Sequence, residues 1–505
     1  MKRFFILFVF VLTTCISKLY AQNEFHFNGT LSELWSDASN WKDGLKPDGE
    51  HTVIFLHASV RVDENVVVDD LLYTNVSAVV TVAKDCRLTV KGALAPLSEQ
   101  QLIVEDGAQL VCGHEVSATV CKKISPYDNA KEAAAWHFIA SPITEALLPT
   151  DLDSLVYEDA NYELMRFNQS NVGGEWERYK DEAYQDSFYL NNGQGYLYVN
   201  GSEVTVSFAG RVQASNQPIS LPLEYDGASN VVAKGFNLVG NPFTCEAYVD
   251  RSYYKMNSDG TDIELVRASA NEAIKPCTGV IVQALAAGQE VSFNPFAESS
   301  TDKGCIRLTL SSNGNVVDNA LLSFNEGEEI GKFNFTEHTA NLYFTQNGMS
   351  CAIGTAETSS QTSVHFRTDE DGNFVLNVTP EGIEVASLWL VDNKTGADVN
   401  LLANPNYSFS ATTNDYSSRF KLFVNTDHGI AEGIEAEPFA YFSHGNIIVS
   451  EPEIMGKLQV IDLLGHVVKE TAVDGCVAMP FSAASGVYVL RLTTGKGVRM
   501  QKIVL

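Results

Sequence analysis

Short apolar segments rich in β-branched residues recur along most of the chain, and each one ends at Gly, Asn, Asp or Pro. Segments of this length bounded by turn residues are typical of β-strands. Hydrophobic residues make up 45% of the 505-residue chain and aromatic residues 10%, which is enough for folded cores. The pattern therefore predicts an all-β protein, and its length favours several domains.

Residues 22–125 carry the most regular spacing of these segments. Strands are predicted at 52–56, 60–62, 66–68, 79–82, 88–90, 102–104 and 109–111, with turns between them. Such segments can stack as the rungs of a short parallel β-helix. The alternatives are a small β-solenoid or a sandwich cap. The spacing of Trp35, Asn40, Trp41, Gly44 and Pro47 resembles the opening of exported bacterial β-helix-like proteins.

Residues 126–298 contain an internal duplication. The segment 136–142 (WHFIASP) is echoed by 236–242 (FNLVGNP), and 195–199 (GYLYV) by 279–282 (GVIV). A Val-Ser-Phe strand then follows at 206–208 and again at 291–293. Because the order is kept, two copies of one β-unit are the simplest interpretation. Each Pro is expected to end a strand, since it lacks the N–H that a strand ladder needs.

Aromatic residues alternate with polar ones between residues 151 and 190. Aromatic rings flanked by carboxylates and amides can stack on sugars and hydrogen-bond to their hydroxyl groups. This composition predicts a ligand-binding surface for a glycan or a protein, and the candidate residues are Tyr162, Trp176, Tyr179 and Tyr184. The alternative is that these rings form part of a β-sheet core.

Residues 299–425 predict a β-sandwich. Eight strands are expected, at 306–310, 320–324, 342–345, 363–366, 374–378, 387–391, 407–410 and 419–424. The segments 390–396, 399–402, 407–409 and 419–420 resemble the domain that often precedes the sorting domain in exported Bacteroidales proteins. That family is known by its position and recurrence, so the resemblance concerns architecture and export.

The last segment, residues 439–505, contains four strand-like runs and an ordered set of motifs that ends at the carboxyl terminus. This set resembles the type A C-terminal sorting domain of the type IX secretion system of Bacteroidetes. The matching positions are Asp462, Gly465, Val467, Gly486, Val487, Tyr488, Lys502, Ile503 and Val504. His466 stands where that family usually has Arg. The alternative is an immunoglobulin-like domain without an address function.

The sorting-domain resemblance implies an immunoglobulin-like fold. It also implies two partners, the secretion translocon and a sorting protease. Residues 426–438, rich in Gly and Glu, are interpreted as the linker where that protease would cut.

The amino terminus predicts a secretory signal peptide over residues 1–21. Lys2 and Arg3 precede an apolar run, and cleavage is expected between Ala21 and Gln22. The apolar run is too short to span a bilayer, and no transmembrane segment is predicted in the mature chain. Lipidation at Cys15 is the alternative, but the Thr before it fits poorly with a lipoprotein signal.

Catalytic and metal-binding motifs are missing from the sequence. His114-Glu115 lacks the second His of a zinc protease helix, and no nucleophile elbow or phosphate-binding loop occurs. The Asp-rich segments at 257–262 and 369–373 depart from the calcium-loop pattern and are interpreted as acidic turns. We therefore assign no catalytic residue, no metal site and no cofactor.

Charge and cysteine content limit the classes of partner. The formal net charge of -29 disfavours nucleic acid and anionic membranes. Eight cysteines remain after the signal peptide; they permit disulfides, but their pairing stays open. We thus expect a secreted or cell-surface, non-enzymatic protein for adhesion or glycan recognition. The alternatives are a carbohydrate-active enzyme on a β-helix or β-sandwich and a purely structural surface component.

Overall fold

The computed structural model describes most of the chain. The described residues are 23–47, 52–126, 135–152, 155, 161–226, 233–297, 302–336, 339–426, 439–443, 445–449, 455–462, 466–475, 477–483, 486–494 and 497–504. The signal peptide, Ala21 and Gln22, Gly465 and all of the linker beyond residue 426 lie outside them.

The predicted all-β class is confirmed. The described residues form forty strands, and their helical structure is limited to 3-10 turns of three residues each. These turns are Ala38–Asn40, Lys42–Gly44, Glu99–Gln101, Pro149–Asp151, Gln185–Ser187 and Ala268–Ala270. None of the described helices is long and apolar enough to cross a membrane.

The first ten strands wind into a short β-helix, as the sequence predicted. They are Asn23–Phe27 (β1), Thr52–Leu56 (β2), Val60–Val62 (β3), Val66–Val68 (β4), Asp70–Tyr73 (β5), Val80–Val82 (β6), Arg87–Val90 (β7), Leu102–Val104 (β8), Gln109–Cys112 (β9) and Val116–Ile124 (β10). Three faces of stacked strands result, β1-β2-β5, β3-β6-β8-β10 and β4-β7-β9, and every pair within them is parallel. In the second and third faces the inward positions are nearly all Val or Leu, which stack in register from rung to rung.

An aromatic cap closes the first rung of this β-helix. The rings of Trp35 and Trp41 meet edge to face at 4.7 Å, and Phe27 contacts Trp41 in the same way at 5.1 Å. All three are buried. The Trp41 indole N–H donates to the Trp35 carbonyl at 2.9 Å, so the spacing of the two Trp residues is set by a hydrogen bond as well as by packing.

The next twelve strands contain the duplication. They are His137–Ala140 (β11), Tyr162–Phe167 (β12), Trp176–Arg178 (β13), Gly195–Asn200 (β14), Val204–Val212 (β15), Ile219–Pro222 (β16), Phe236–Gly240 (β17), Tyr248–Val249 (β18), Tyr253–Met256 (β19), Ile263–Val266 (β20), Gly279–Gln283 (β21) and Glu290–Asn294 (β22). One sheet has the order β11-β14-β12-β13 and another the order β17-β21-β19-β20. β18 lies in a separate sheet with β16 and β22 and is not counted, so the first, fourth, second and third strands of each copy lie side by side.

The strands that flank each copy also match. β15 pairs antiparallel with β10, and β22 pairs antiparallel with β16. One hydrophobic core runs from Phe27 in the β-helix to Phe208 and Val212 in β15. The β-helix and the first copy therefore pack as one body across residue 125.

The region predicted as a β-sandwich forms one sheet of eleven strands. They are Cys305–Ser312 (β23), Asn315–Ser323 (β24), Ile330–Gly331 (β25), Ala340–Gln346 (β26), Met349–Thr355 (β27), Ser359–Thr368 (β28), Gly372–Glu381 (β29), Ser387–Asp392 (β30), Ala397–Asn400 (β31), Asn406–Ala411 (β32) and Phe420–Asn425 (β33). All eight predicted strands are present. The sheet order runs from β31 through β30, β33, β28, β26, β27, β24, β23 and β29 to β32, with β25 beside β27. Its two end strands are consecutive in sequence, so the sheet is nearly closed.

The chain divides into two compact units. The second unit comprises residues 423–505 with the short pieces 358–361 and 384–389, and the first comprises the rest. The last seven strands, all in the second unit, are Ala440–Ser443 (β34), Asn446–Val449 (β35), Met455–Ile461 (β36), Val467–Asp474 (β37), Val477–Pro480 (β38), Val487–Thr494 (β39) and Gly497–Val504 (β40). They form two antiparallel sheets, β34-β35-β38 and β37-β36-β39-β40, around one core.

The residues of the proposed sorting motif occupy definite places in this unit. Asp462 lies in the turn between β36 and β37, where its carboxylate accepts the His466 N–H at 2.9 Å. Val467 begins β37, Gly486 and Val487 lie at the start of β39, and Lys502 and Val504 lie on β40. Tyr488 packs edge to face on Phe481, and Ile503 is buried in the core. These placements describe the domain and leave its sorting role as a prediction.

Candidate ligand-binding cleft

Two of the four predicted ligand-binding residues lie in the core. Tyr162 is 1% exposed and Tyr179 is 2% exposed. Tyr179 packs against Phe188, with the ring centroids 5.4 Å apart. A buried ring offers no face to a ligand, so these two tyrosines fit the alternative that the sequence left open, which is core packing.

The other two residues are half-buried and hold the same segment together. Trp176 meets Phe167 and Phe335 edge to face, at 5.1 and 6.0 Å. The Tyr184 hydroxyl accepts a hydrogen bond from the Asn171 side chain at 2.9 Å, and the Arg166 guanidinium lies 5.8 Å from its ring centroid. The structure does not bring the four residues onto one open surface, and a ligand-binding role for them remains a prediction.

The two copies of the β-unit contact each other reciprocally. Ala140 N–H donates to the Cys277 carbonyl at 3.2 Å, and Gly240 N–H donates to the Gly193 carbonyl at 2.9 Å. Isolated β-bridges show the same reciprocity: Ile139 of the first copy pairs with Thr278 of the second, and Val239 of the second copy pairs with Gln194 of the first. Each copy thus presents the same strand to the other, as the two subunits do in an isologous dimer.

Small residues allow this close approach. A Cβ added to Gly240 would lie 2.4 Å from the Ala140 Cβ, and one added to Gly279 would lie 3.3 Å from the Gly195 Cα. Ala140 and Gly240 are the small residues of the duplicated motif, and Gly195 and Gly279 begin its second matched strand. The duplicated positions therefore form the contact between the copies.

Side chains on the second and third strands of each copy also correspond. Arg166 pairs with Glu177 at 2.6 Å in the first copy, and Lys255 pairs with Glu264 at 3.5 Å in the second. Both pairs face each other directly across the strand ladder. The turns that follow begin alike, with Asn168 N–H bonded to the Glu175 carbonyl and Asn257 N–H bonded to the Asp262 carbonyl.

Position by position, Gln169 in the first turn corresponds to Ser258 in the second. The Gln169 side chain reaches into the second copy, where its amide nitrogen donates to the carbonyls of Glu224 and Phe236 at 2.8 and 3.1 Å. Its amide oxygen accepts from the N–H groups of Asp226 and Gly235 at 2.9 and 2.8 Å. Gln169 is only 1% exposed, so it fills this side of the contact.

On the opposite side of the contact the turn of the second copy docks through its backbone, where the Gly260 carbonyl accepts the Trp136 N–H at 2.9 Å. Ser258 is exposed and short, and a cleft of about 580 Å³ lies between its turn and the start of the first copy. The cleft is lined by the end of β10, by 135–138, by the second and third strands of the second copy with their turn, and by 272–280. A volume of this size suits a small ligand. The two turns therefore contact the opposite copy differently, through the Gln169 side chain in the first copy and through the Gly260 backbone in the second.

Aromatic and polar groups line the cleft together. Trp136 is half-buried at its wall. The His137 ring nitrogen Nε2 lies 3.3 Å from the Ser125 carbonyl, and burial lowers the pKa of His137 below its usual value. Lys255 Nζ lies 2.6 Å from Glu272 as well as 3.5 Å from Glu264. Burial opposes the charge of Lys255, but the hydrogen bonds that Lys255 donates to Glu272 and Glu264, together with the negative charges of these two carboxylates, outweigh burial and raise the Lys255 pKa. The residues that line the cleft thus include both paired charges and an aromatic residue.

Hydrogen bonds within the Asp-rich turn at the cleft hold its conformation. The Asn257 carboxamide oxygen accepts the N–H of Thr261 at 2.9 Å, and the Asp259 carboxylate accepts the Thr261 hydroxyl at 2.8 Å. Among the described residues, no group of three or more His, Cys, Asp or Glu side chains is placed to hold a metal ion. The seven described cysteines form no disulfide with one another.

In the sequence, Trp136 and His137 stand out as part of the duplicated motif, and nothing there indicates that they bind a ligand. No sequence motif marks Lys255, Glu272 or Ser258 as a residue that could bind a ligand. A position-by-position alignment of the two copies through 166–178 and 255–265 would have matched Gln169 with Ser258. The duplicated motifs that the sequence did reveal flank this stretch without covering it.

One protein family matches part of the chain. Its description is "Domain of unknown function (DUF8693)", and its sequence model covers residues 26–259. This range includes the β-helix, the first copy and the first strands of the second copy, and it is less than half of the chain. No curated protein matches the sequence.

Proposed function

We propose that this chain is an exported, non-enzymatic recognition protein that binds a glycan in the cleft between its two β-units. The observation that carries the proposal is the cleft itself, whose lining includes Trp136 and the paired charges of Lys255, Glu264 and Glu272. An aromatic ring next to carboxylates and an ammonium group suits sugars, which present both a C–H face and hydroxyl groups. This site replaces the 151–190 surface as the first place to look for a ligand.

Export is the second part of the proposal. The amino-terminal signal and the carboxyl-terminal motifs predict passage through the inner membrane and then through a type IX translocon, followed by cleavage of the tail by a sorting protease. The independent core of the last seven strands is consistent with a domain recognised in folded form. The final location is the cell surface or the medium, and the acidic chain makes nucleic acid an unfavourable partner.

Two alternatives remain. A carbohydrate-active enzyme would release reducing ends from a polysaccharide, and a single Asp or Glu substitution would abolish that release. A purely structural surface component would show neither turnover nor saturable binding. The glycan proposal differs from both because it expects saturable binding without turnover.

The first experiment is a glycan-binding screen with the purified chain, followed by calorimetry on each hit. Trp136→Ala should weaken binding by at least about tenfold, since it removes the one tryptophan among the residues that line the cleft. Trp176→Ala is the matched control, because Trp176 is also a half-buried tryptophan but lies on the predicted 151–190 surface. Loss of binding in Trp176→Ala alone would move the site to that surface, and reducing-end release would favour an enzyme.

A further inference from the structure

A pocket of about 420 Å³ lies beside the eleven-stranded sheet and shares no lining residue with the cleft. It is lined by Tyr343 of β26, by 367–369 around the end of β28, and by Thr413, Asp415 and Ser417 of the loop between β32 and β33. Every one of these side chains carries a polar group. A volume of this size suits a small ligand, and the lining suits a polar one.

A buried arginine fixes the loop that forms one wall of this pocket. Arg419 is 1% exposed, and its guanidinium lies 4.5 Å from the ring centroid of Phe409. It donates two hydrogen bonds to Asp392, at 3.1 and 2.8 Å, and one to Asp415 at 3.2 Å. Lys394 adds a second cation at 2.7 Å from Asp415. Because a buried charge that loses its partner is strongly destabilising, this network holds the loop in place.

The other polar groups of the lining are available to a ligand. Within the described part of the chain, five side chains form no hydrogen bond or ion pair through their polar groups: Tyr343, Arg367, Asp369, Thr413 and Ser417. Arg367 can only donate and is positively charged, whereas Asp369 can only accept and is negatively charged. The three hydroxyl groups can do either. A matching ligand therefore offers an anionic group to Arg367 and a hydroxyl group to Asp369.

We propose that this pocket binds an acidic sugar, with its anionic group on Arg367 and a hydroxyl group on Asp369. The guanidinium fork matches a carboxylate in two parallel hydrogen bonds, and such charge-assisted bonds are roughly twice as strong as neutral ones. A neutral sugar could bond to Asp369 and to the hydroxyl side chains, but it offers Arg367 only uncharged acceptors. The pocket is separate from the cleft, so this inference adds a second site and a second ligand class to the proposed function.

Local pairing of charges allows an anion to bind to this strongly acidic chain. The formal net charge of -29 repels anions in general. At the pocket, the network around Arg419 contains two cations and two carboxylates. Arg367 and Asp369 add one charge of each sign, so the lining and the network that fixes it carry no net charge.

The test compares methyl glucuronide, which carries a carboxylate, with methyl glucoside, which has a primary hydroxyl group in its place. A glucoside sulfated at that hydroxyl and N-acetyl-aspartate methylamide supply the anionic group from a sulfate ester and from a peptide. Calorimetry and ligand-observed NMR on the purified chain give the affinities. The glucuronide should bind at least about tenfold more tightly than the glucoside. Its affinity should also fall as the salt concentration rises, since salt screens an exposed ion pair.

Arg367→Gln should reduce binding of the glucuronide by at least about tenfold and leave binding of the glucoside nearly unchanged. Arg367 is exposed, so the variant should keep its fold. Arg178→Gln is the matched control, because Arg178 is also an exposed strand residue without an ion pair among the described residues. It should bind both sugars as the unchanged chain does.

The outcomes separate this pocket from the cleft. Equal affinity for the glucuronide and the glucoside, or unchanged affinity in Arg367→Gln, would overturn the proposal. Loss of glucuronide binding in Trp136→Ala but not in Arg367→Gln would place the acidic sugar in the cleft and leave the glycan function standing.

The remaining ligands decide the source of the anionic group. Binding of the sulfated glucoside, with or without the glucuronide, would support an acidic sugar if Arg367→Gln abolishes it. Tighter binding of the aspartate compound than of either acidic sugar would assign the pocket to a protein ligand and overturn the proposal. Silence of all three anionic compounds would also overturn it, while the glycan screen would still decide the function of the cleft.

Discussion

Asn40 organises the cap of the β-helix at the scale of a single residue. Its side-chain oxygen accepts the N–H groups of Leu31 and Ser32 at 3.1 and 2.9 Å, and its nitrogen donates to the Ser32 hydroxyl and the Leu34 carbonyl at 2.8 and 2.9 Å. Asn40 is fully buried. Only a side chain with both an acceptor and two donors can make this set, which explains an Asn directly before Trp41.

Asn40→Ala should destabilise the chain by about 2–4 kcal/mol, because it leaves several part-buried polar groups without partners. Asn75→Ala is the matched control. Asn75 also bonds to backbone, at 3.0 Å to His57 and Ser77, but it is exposed and should cost less than about 1 kcal/mol. Urea unfolding followed by tryptophan fluorescence measures both, and equal losses would contradict the role given to Asn40.

The ion pair between Arg267 and Asp302 makes the stability of the fold at low pH depend on the Asp302 carboxylate. Arg267 donates two hydrogen bonds of 2.8 Å to Asp302, and these bonds hold the Asp302 pKa far below its usual value. A carboxyl whose pKa is lowered by folding stabilises the native state above its unfolded pKa of about 3.9, and this contribution is lost as the pH falls further.

Asp302→Asn should therefore lower stability at pH 7 and flatten the loss of stability between pH 5 and pH 3. The measurement is the urea midpoint of both proteins at pH 7, 5 and 3. The exposed Asp186→Asn should follow the unchanged protein at every pH. A parallel fall of the wild-type and Asp302→Asn midpoints would show that other carboxyl groups govern acid unfolding.

The contact between the two β-units is decided at the scale of strands. β11 of the first copy hydrogen-bonds to the segment before β21 of the second copy. In the same way, β17 of the second copy hydrogen-bonds to the segment before β14 of the first. The exchange needs backbones that approach closely, and Gly240 provides this because its missing Cβ would lie 2.7 Å from the Gln194 carbonyl oxygen.

Gly240→Ala should destabilise the chain by about 1–3 kcal/mol through overpacking at this contact. Gly174→Ala is the control, since a Cβ there would meet only side-chain atoms of Asn171 at ordinary distances of 3.5 Å or more. Thermal unfolding of the two variants gives the comparison. If they unfold at the same temperature, the two copies tolerate a wider separation than the structure shows.

At the scale of the whole molecule, export is the property to test. The full chain and a version ending at Glu437 should be expressed in a host with type IX secretion and followed by cell fractionation and intact mass. We expect the full chain to reach the surface or the medium without its tail and the truncated chain to stay in the periplasm. Equal distribution of the two would make the tail an ordinary β-domain.

The sequence by itself determined the strands, because a strand of alternating or buried β-branched residues and its bounding turn are local signals. It also determined the duplication and the stacked rungs, since both are repeats along the chain. All eight strands predicted in 299–425 formed. How those strands joined into one nearly closed sheet was decided by pairings between distant residues, which no local pattern records.

Only the tertiary structure decided where a ligand could bind. Tyr162 and Tyr179 look like exposed recognition residues in the sequence, yet neighbouring strands bury them. The cleft depends on the two copies meeting, since residues of both line it. Burial and cavity shape arise from contacts between residues far apart in sequence, such as Gly260 with Trp136, and for that reason the fold had to be known before this candidate site could be found.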